Sequence, residues 1–280
     1  MGDAARGELW KCAMELGIKH CIHCEGMKSM IQLVLVGCAG RMGRVIADCV
    51  RQREDCVISA GVDTAAKGDE TFPVYSACCD IAEPADAVID FSHPSALEGT
   101  LAFARERKIP VVMATTGLGD EHKALLEQAS QTIPVFTSAN MSVGVNLIRE
   151  LCAKAAQILE DGYDIEIVEA HHNQKLDAPS GTALMLADAI VDACEEPKTL
   201  EYDRHTKRQK RSKDEIGMHA IRGGTITGEH TVLFAGHDEI ITISHSARSR
   251  EVFATGALRA ALFLVGKQPG SYCMSDLMKD

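Results

Sequence analysis

The chain has 280 residues, of which 46% are hydrophobic and 25% charged, and its formal net charge is −11. This length predicts one or two domains with an ample core, and the acidic balance disfavours a nucleic-acid or membrane-surface role. No apolar run approaches the ~20 residues of a membrane span. The eleven cysteines are scattered without framework spacing. We therefore expect reduced thiols in a cytoplasmic protein.

Residues 1–29 differ from the rest of the chain. Residues 10–18 predict a short helix, and residues 20–24 combine histidine with cysteine. One Cys-x-x-Cys without a second pair is weak support for a metal site. The basic region and sustained apolar segment of a signal peptide are both missing. We expect an N-terminal extension without a catalytic part, and no metal site in the chain.

A glycine-rich turn, residues 37–43, follows the apolar run of residues 31–36 and precedes a helical pattern over residues 44–51. The run predicts a buried strand. Strand, turn and helix in this order suit a dinucleotide, because the glycines let a pyrophosphate approach the helix amides. Ala39 replaces the commonest second glycine, which makes the turn a variant. We assign to cofactor binding Gly37, Ala39, Gly40, Arg41, Met42 and Gly43.

Asp63 follows the second predicted strand, residues 56–62, and lies about 20 residues beyond Gly43, where an acidic residue binds the ribose 2′-hydroxyl. The next residue is Thr64 rather than an arginine suited to a 2′-phosphate. The pattern favours NADH. Lys67 could partly replace such an arginine, so NADPH stays open, and an ordinary loop aspartate is the alternative.

Strands and helices continue to alternate along the first half. Strands are predicted over 87–91, 109–114 and 133–137, and helices over 95–108 and 120–130. A doubly wound sheet binds its ligand at the carboxyl ends of the strands. Residues at those ends are predicted to contact the nicotinamide half, although polar turns are the alternative. They are Phe91, Ser92, Ala114, Thr115, Thr116, Ser138, Ala139, Asn140 and Met141.

The second half predicts a largely β unit with helices. Its elements are helices over 142–159, 182–194 and 250–266, and strands over 163–170, 217–222, 225–235 and 239–246. Gly223-Gly224 and Gly236-His237-Asp238 predict hairpin turns. The polar segment 195–215 is expected to be a solvated loop. Strands that meet across subunits would favour an oligomer.

The most informative stretch is residues 169–183. His171 and His172 precede Lys175, and Ser180, Gly181 and Thr182 then lead into an apolar helix. The free amides and positive dipole of a helix start bind carboxylate or phosphate, and Lys175 adds a full charge. This favours a small anionic substrate that must be protonated. The alternatives are a satisfied polar histidine and an ordinary N-cap. Adjacent histidines point to opposite faces of a strand, which disfavours a metal.

These motifs together resemble the 4-hydroxy-tetrahydrodipicolinate reductase family, also called dihydrodipicolinate reductases. The resemblance runs from about Met30 to the C-terminus and includes the 37–43 turn, with residues 114–117, 138–146 and 228–231. Its most specific part is Glu-x-His-x-x-x-Lys-x-Asp-x-Pro-Ser-Gly-Thr-Ala, which is complete over residues 169–183. Residues 1–29 lie outside it.

The resemblance implies an α/β fold: an N-terminal Rossmann-like doubly wound parallel sheet plus a second α+β domain with a mixed sheet. The first domain would hold residues 30–141 and 250–280. Residues 142–249 would bind substrate and build a homotetramer. The implied reaction is NADH- or NADPH-dependent reduction of a small dicarboxylate to tetrahydrodipicolinate, in diaminopimelate and lysine biosynthesis.

By the same resemblance, His171 is the proton donor and acceptor and Lys175 a proton donor. The implied substrate contacts are His172, Lys175, Ser180, Gly181 and Thr182. Binding between domains requires closure, so hinges are expected near 140–143 and 235–239. Two rivals are another Rossmann amino-acid dehydrogenase, which lacks this element, and a non-catalytic NADH-binding redox sensor, which has no need of a paired histidine and lysine.

Overall fold

A seven-stranded sheet with every neighbouring pair parallel forms the first part of the computed structural model, which describes residues 30–66 and 70–279. The helix expected over 10–18, the His/Cys segment 20–24 and Lys67 lie outside the described residues. The strands, in spatial order, are β12 (Gly270–Tyr272), β6 (Pro134–Thr137), β5 (Val111–Met113), β4 (Ala87–Asp90), β1 (Ile31–Val36), β2 (Cys56–Val62) and β3 (Val74–Tyr75).

Helices cover both faces of this sheet, which is why its central strands are apolar throughout. One face packs on α1 (Arg41–Val50) and α6 (Glu251–Leu264), and the other on α2 (Leu97–Arg107) and α3 (Asp120–Ser130). Helix α1 begins three residues earlier than its apolar pattern predicted, because Gly40 already serves as its N-cap. The expected Rossmann-like doubly wound sheet is confirmed.

The second sheet is mixed, as predicted. In spatial order its strands are β11 (Ile240–Ala247), β10 (Gly228–Ala235), β7 (Asp164–His171), β9 (Glu215–Arg222) and β8 (Thr199–Glu201). Strand β9 runs parallel to β7 and β8, whereas β10 runs antiparallel to β7 and β11. Helices α4 (Val143–Leu159) and α5 (Gly181–Ala193) pack their apolar sides against it. The sheet thus carries its core on one face.

The turn at 223–224 corrects one prediction, because it does not close a hairpin. Strands β9 and β10 lie on opposite sides of β7, and the connection crosses the end of β7. There Gly223 N–H donates to the His171 carbonyl at 2.9 Å, and Asn173 N–H donates to the Gly224 carbonyl at 3.3 Å. Glycines permit a tight turn, but burial of the apolar β7 decides which strands pair.

The turn at 236–238 does close the β10–β11 hairpin. Ala235 is in register with Asp164, the first residue of β7, so this turn lies at the end of the sheet opposite His171. Residues 235–239 were expected to form part of a hinge between domains. That expectation was wrong, because a hairpin tip connects two strands of one sheet.

Short elements escaped the sequence analysis. Strands β3, β8 and β12 have two or three residues each, too few for a periodic pattern, and α7 (Met274–Lys279) is also short. Strand β8 lies inside the segment 195–215, which was expected to be a solvated loop. In the same segment, the Arg211 guanidinium forms ion pairs with Asp164 (2.9 Å) and Glu166 (3.0 Å) on β7. Strand β12 pairs with β6, which returns the C-terminal segment to the first sheet. No helix of the described chain is long and apolar enough to cross a membrane.

Gly256→Ala should lower the free energy of unfolding by about 1–3 kcal/mol, the usual cost of overpacking. A Cβ there would fall on the Met141 carbonyl oxygen, where α6 packs against the segment that joins the two sheets. Gly99→Ala is the matched control, because a Cβ at that exposed helical position meets nothing within 4 Å. The control should stabilise the protein by about 0.5–1 kcal/mol. Urea unfolding measures both, and equal effects would contradict the packing assignment.

Candidate active site

The turn after β1 is built by close backbone approach. Gly37 has φ +81°, and a Cβ there would lie 2.7 Å from the Phe91 carbonyl oxygen. A Cβ on Gly43 would strike the Gly37 carbonyl oxygen. Helix α1 then begins at Gly40 with no side-chain hydrogen bond to its first amides. Those amides have no intrahelical partner and can bind an anionic group.

A cleft of about 420 Å³ lies along the carboxyl ends of the parallel strands; we call it the strand-end cleft. It brings together many of the predicted cofactor residues: Arg41, Met42, Phe91, Ala114, Thr115, Thr116, Ser138, Ala139, Asn140 and Met141. The other predicted residues, Gly37, Ala39, Gly40, Gly43 and Asp63, do not line it. Ser92, predicted together with Phe91 at the same strand end, also lines it. Phe253 lines it too and was missed. Phe253 comes from α6, and no local pattern places a distant helix beside these strands.

Asp63 holds the glycine turn against β2. One carboxylate oxygen accepts the Ala39 amide at 2.9 Å, and the other accepts the Ala65 amide at 2.8 Å. Each oxygen keeps a second lone pair for a further donor. The predicted ribose ligand is therefore also a structural residue, and its carboxylate is fixed in direction.

Asp90, at the end of β4, was passed over because it lies within an apolar run. It is fully buried and accepts four hydrogen bonds from uncharged donors. They come from the Ser92 amide (2.9 Å) and hydroxyl (2.6 Å), and from the Thr100 (2.7 Å) and Thr115 (2.9 Å) hydroxyls. Asp90 thus fixes Ser92 and Thr115, two residues of the cleft wall.

Glu169 lies near the end of β7 in the second sheet and is 1% exposed. Its Oε2 lies 2.6 Å from His171 Nδ1, and both side chains lie on one face of β7 because they are two residues apart. Arg222 donates to both carboxylate oxygens, at 2.8 and 2.7 Å, and the Ser180 amide donates to Oε1 at 2.9 Å.

The carboxylate of Glu169 is held in its charged form. Burial acts to raise the pKa of Glu169, but the hydrogen bonds from Arg222, His171 and the Ser180 amide outweigh it, and the net pKa is lowered. Sequence analysis assigned no role to Glu169 or Arg222. Arg222 had no signal, because it joins Glu169 only through the parallel pairing of β7 with β9.

Helix α5 starts beside this carboxylate. The Ser180 hydroxyl accepts the Ala183 amide at 3.2 Å and lies 2.9 Å from His230 Nε2. No acidic residue occupies the first turn. The amides of Gly181 and Thr182 therefore lie at a positive helix start without a competing carboxylate in that turn.

His230 on β10 is buried and packs edge-to-face on His171, with 5.2 Å between ring centroids. Burial, and then the neighbouring His171, lower the pKa of His230 to about 4. Its Nδ1 has no hydrogen-bond partner among the described residues. His230 is thus a neutral ring that supports both His171 and Ser180, and sequence analysis gave it no role.

Lys175 lies on the loop between β7 and α5, and its ammonium pairs with Asp177 Oδ1 at 2.9 Å. The hydrogen bond from Lys175 lowers the pKa of Asp177. Arg222 also donates to the Asp177 carbonyl at 2.6 Å, which fixes this loop to the sheet. The exposed carboxylate of Asp177 is a partner that an anionic ligand can replace. His172 is half-buried and lends its carbonyl to the Lys175 amide at 3.1 Å.

Asn140 connects the two halves of the site. Its side-chain amide donates to the Thr182 hydroxyl at 2.9 Å, across the boundary between the strand-end cleft and α5. Its carbonyl oxygens are held by the Ser142 amide (2.8 Å) and the Asn146 side chain (2.7 Å). The predicted cofactor residues and substrate residues therefore meet at one contact.

Two family models match this chain consecutively. The model described as "Dihydrodipicolinate reductase, N-terminus" matches residues 31–141, and the one described as "Dihydrodipicolinate reductase, C-terminus" matches residues 144–278. Among curated relatives, 4-hydroxy-tetrahydrodipicolinate reductase of Caldanaerobacter subterraneus subsp. tengcongensis is 54% identical over 250 residues, covering 89% of this chain and 99% of the relative. The Clostridium tetani protein of the same name is 47% identical over 249 residues, covering 89% and 97%.

Solved structures show the same fold. Dipicolinate-bound dihydrodipicolinate reductase from Paenisporosarcina sp. TG-14 superposes with a TM-score of 0.74 at 23% identity, covering 87% of this chain and 97% of that one. C. glutamicum DAP dehydrogenase in complex with DAP superposes less well, with a TM-score of 0.54 at 15% identity, covering 89% and 93%. At such identities these likenesses concern the fold alone.

The buried His230 should make stability depend on pH. Its pKa of about 4 lies below the ordinary value of 6.5, so its contribution is fully present above pH 6.5 and is lost as the pH falls toward 4. The lost contribution is roughly 3 kcal/mol. In urea unfolding, the free energy of unfolding of wild type relative to that of His230→Gln should therefore fall between pH 7 and pH 4. A difference that stays constant over this range would contradict a neutral, buried His230.

Proposed function

The chain belongs to the dihydrodipicolinate reductase family and is an oxidoreductase, and on this premise we propose that it reduces 4-hydroxy-tetrahydrodipicolinate, through dihydrodipicolinate, to tetrahydrodipicolinate. The reductant is NADH or NADPH, and the pathway is diaminopimelate and lysine biosynthesis. One observation carries the proposal: Glu169 binds both His171 and the Ser180 amide at the free start of α5, Lys175 lies on the loop that leads into this helix, and Asn140 of the strand-end cleft donates a hydrogen bond to Thr182.

Substrate binding follows from the charges at this start. The substrate has two carboxylates. One of them replaces Asp177 as the partner of Lys175 and accepts the amides of Gly181 and Thr182. Ser180 holds the helix start in place, and His172 adds a polar contact at the rim. A charged donor and free helix amides together recognise a carboxylate more tightly than either does alone.

Protonation is assigned to His171 and Lys175. The nicotinamide, when bound in the strand-end cleft, supplies hydride from its C4. The reduced substrate then needs a proton. Nδ1 of His171 faces Glu169, so its Nε2 is the nitrogen available for proton exchange. The ammonium of Lys175 neutralises the substrate carboxylate and can supply a proton.

NADH is the proposed preferred cofactor. Asp63 is fixed by the Ala39 and Ala65 amides at the end of β2, where the ribose of a dinucleotide is expected. A fixed carboxylate accepts a hydrogen bond from a 2′-hydroxyl and repels a 2′-phosphate. The neighbouring Thr64 offers no charge to offset that repulsion.

A homotetramer is the proposed assembly. Strands β9 and β11 each carry an isoleucine that is largely exposed on the sheet face opposite α4 and α5. They are Ile221 and Ile240, which lie toward opposite ends of that face. Exposed apolar residues on an uncovered sheet face are typical of subunit contacts.

The reaction is tested by following NADH and NADPH consumption while a preceding synthase makes the substrate in situ from pyruvate and aspartate semialdehyde. His171→Ala and Lys175→Ala should each lower kcat by about 10²–10⁴, the usual loss on removing a general acid or base. Lys154→Ala is the control, because Lys154 is an exposed lysine on α4 that does not line the strand-end cleft. Near-normal turnover in both active-site variants would refute their assigned roles.

Asp63→Ala tests the cofactor assignment. It should raise the Kd of NADH more than that of NADPH, because it removes a hydrogen bond to the 2′-hydroxyl and a charge that repels the 2′-phosphate. A ratio change on the order of tenfold corresponds to one such charge-assisted bond. Fluorescence titration of bound cofactor measures both constants. Equal weakening would mean that Asp63 supports the glycine turn and does not distinguish the cofactors.

A further inference from the structure

We propose that Glu169 and Arg222 form a positioning pair that fixes the tautomer of His171 and holds the loop between β7 and α5. This inference rests on the proposed function, because it concerns how His171 and Lys175 are prepared for proton transfer. Neither residue of the pair is assigned a contact with substrate.

The tautomer follows from hydrogen-bond chemistry. An ionised carboxylate only accepts hydrogen bonds, so a ring nitrogen 2.6 Å from Glu169 Oε2 must carry a hydrogen. That nitrogen is Nδ1 of His171. In the neutral ring, Nε2 is then bare and takes up a proton from solvent. The resulting imidazolium, stabilised by the Glu169 carboxylate at Nδ1, delivers that proton from Nε2 to the reduced substrate and returns to the same neutral tautomer. A Cβ on Gly228 would lie 3.1 Å from this Nε2, so a glycine there keeps β10 from crowding it.

Arg222 keeps the carboxylate in the form that this requires. Burial alone would favour protonated Glu169, whose hydroxyl could donate to Nδ1 and reverse the tautomer. The Arg222 guanidinium binds both oxygens, at 2.8 and 2.7 Å, in the bidentate geometry that most favours the charged carboxylate. A lysine ammonium lacks the planar fork of a guanidinium and could not reproduce this bidentate geometry.

The same two side chains hold the loop that bears Lys175. Arg222 donates to the Asp177 carbonyl at 2.6 Å, and Glu169 accepts the Ser180 amide at 2.9 Å. Both contacts lie between Lys175 and α5: Asp177 is tied to Arg222 on β9 and Ser180 to Glu169 on β7. The pair therefore sets the distance between the ring of His171 and the start of α5.

A buried ion pair can also be purely structural, and the chain contains a matched example. Glu215 is buried on β9 and pairs with Arg204. It lies at the start of β9, beside the start of β7, whereas Arg222 lies beside His171 at the other end of both strands. Glu215→Gln therefore removes a buried, arginine-bound carboxylate from the same sheet without touching the site.

The test is ¹⁵N NMR of protein labelled in histidine, with the His171 signals identified by their loss in His171→Ala. Wild type at a pH where His171 is neutral should show the tautomer with hydrogen on Nδ1. In Glu169→Gln, the amide can donate to a bare Nδ1, so the tautomer should change to hydrogen on Nε2. Glu215→Gln should leave the wild-type signals unchanged. A wild-type ring with hydrogen on Nε2, or one unchanged in Glu169→Gln, would overturn the proposal.

Kinetics supply the second readout. Glu169→Gln should lower kcat by about 10²–10⁴ with a much smaller change in KM, because the imidazolium that delivers the proton loses its carboxylate partner, which impairs proton transfer more than binding. Arg222→Lys should chiefly raise KM by releasing the loop. If these variants lose activity only in proportion to their loss of folded protein, and the folded fraction turns over normally, the pair has only a structural role and the proposal is overturned.

Two further arms keep the outcomes separate. Glu169→Asp keeps the negative charge for Arg222 but withdraws the carboxylate from His171 Nδ1. It replaces Glu169→Gln in the NMR test if that variant does not fold. In Glu169→Asp, His171 should no longer show a single tautomer. The NMR readout needs no turnover. If wild type shows the predicted tautomer but does not reduce the synthase product, the proposed function fails and the positioning pair stands.

Discussion

The second half of the molecule depends on one buried charge, the Glu169 carboxylate. A buried carboxylate is tolerated only when it is paired and fully hydrogen-bonded. Glu169 meets this requirement with partners from three elements: His171 on β7, Arg222 on β9 and the Ser180 amide at the start of α5. Removing one partner of such a pair costs about 3–5 kcal/mol, so these elements are held in one arrangement.

The first half uses the same principle with neutral donors. Asp90 and Asp63 lie at the ends of two strands of the parallel sheet. Asp90 accepts hydrogen bonds from Ser92 and Thr115 in the wall of the strand-end cleft, and Asp63 accepts one from Ala39 in the glycine turn. Acidic side chains at strand ends thus organise both halves. The Asn140–Thr182 hydrogen bond then brings the two organised regions together. The geometry of the candidate site therefore depends on polar contacts at the edges of two sheets, whereas the apolar cores fix the sheets themselves.

Most of the fold could be predicted because its long elements have clear periodicity. Helix α3 and strands β1 and β2 match the predicted limits, and the order of strands and helices in the first half is correct. The failures have two causes. The glycines at 223–224 signal a turn, but they do not say that β7 lies between the strands they join. Pairing is decided by burial across the sheet, which local sequence does not encode, and two- or three-residue strands carry no period at all.

The sequence by itself determined the family, the doubly wound fold and the chemical types present in residues 169–183, because these reside in contiguous motifs. Only the tertiary structure decided what those residues contact. Arg222 is 53 positions from Glu169, and His230 is 50 positions from Ser180. Such partners meet through strand register and packing against α5. The sequence therefore specifies a histidine, a lysine and a bare helix start. The ring of His171 is held by Glu169 from its own strand, whereas Arg222 and His230, which fix Glu169 and pack on His171, come from neighbouring strands.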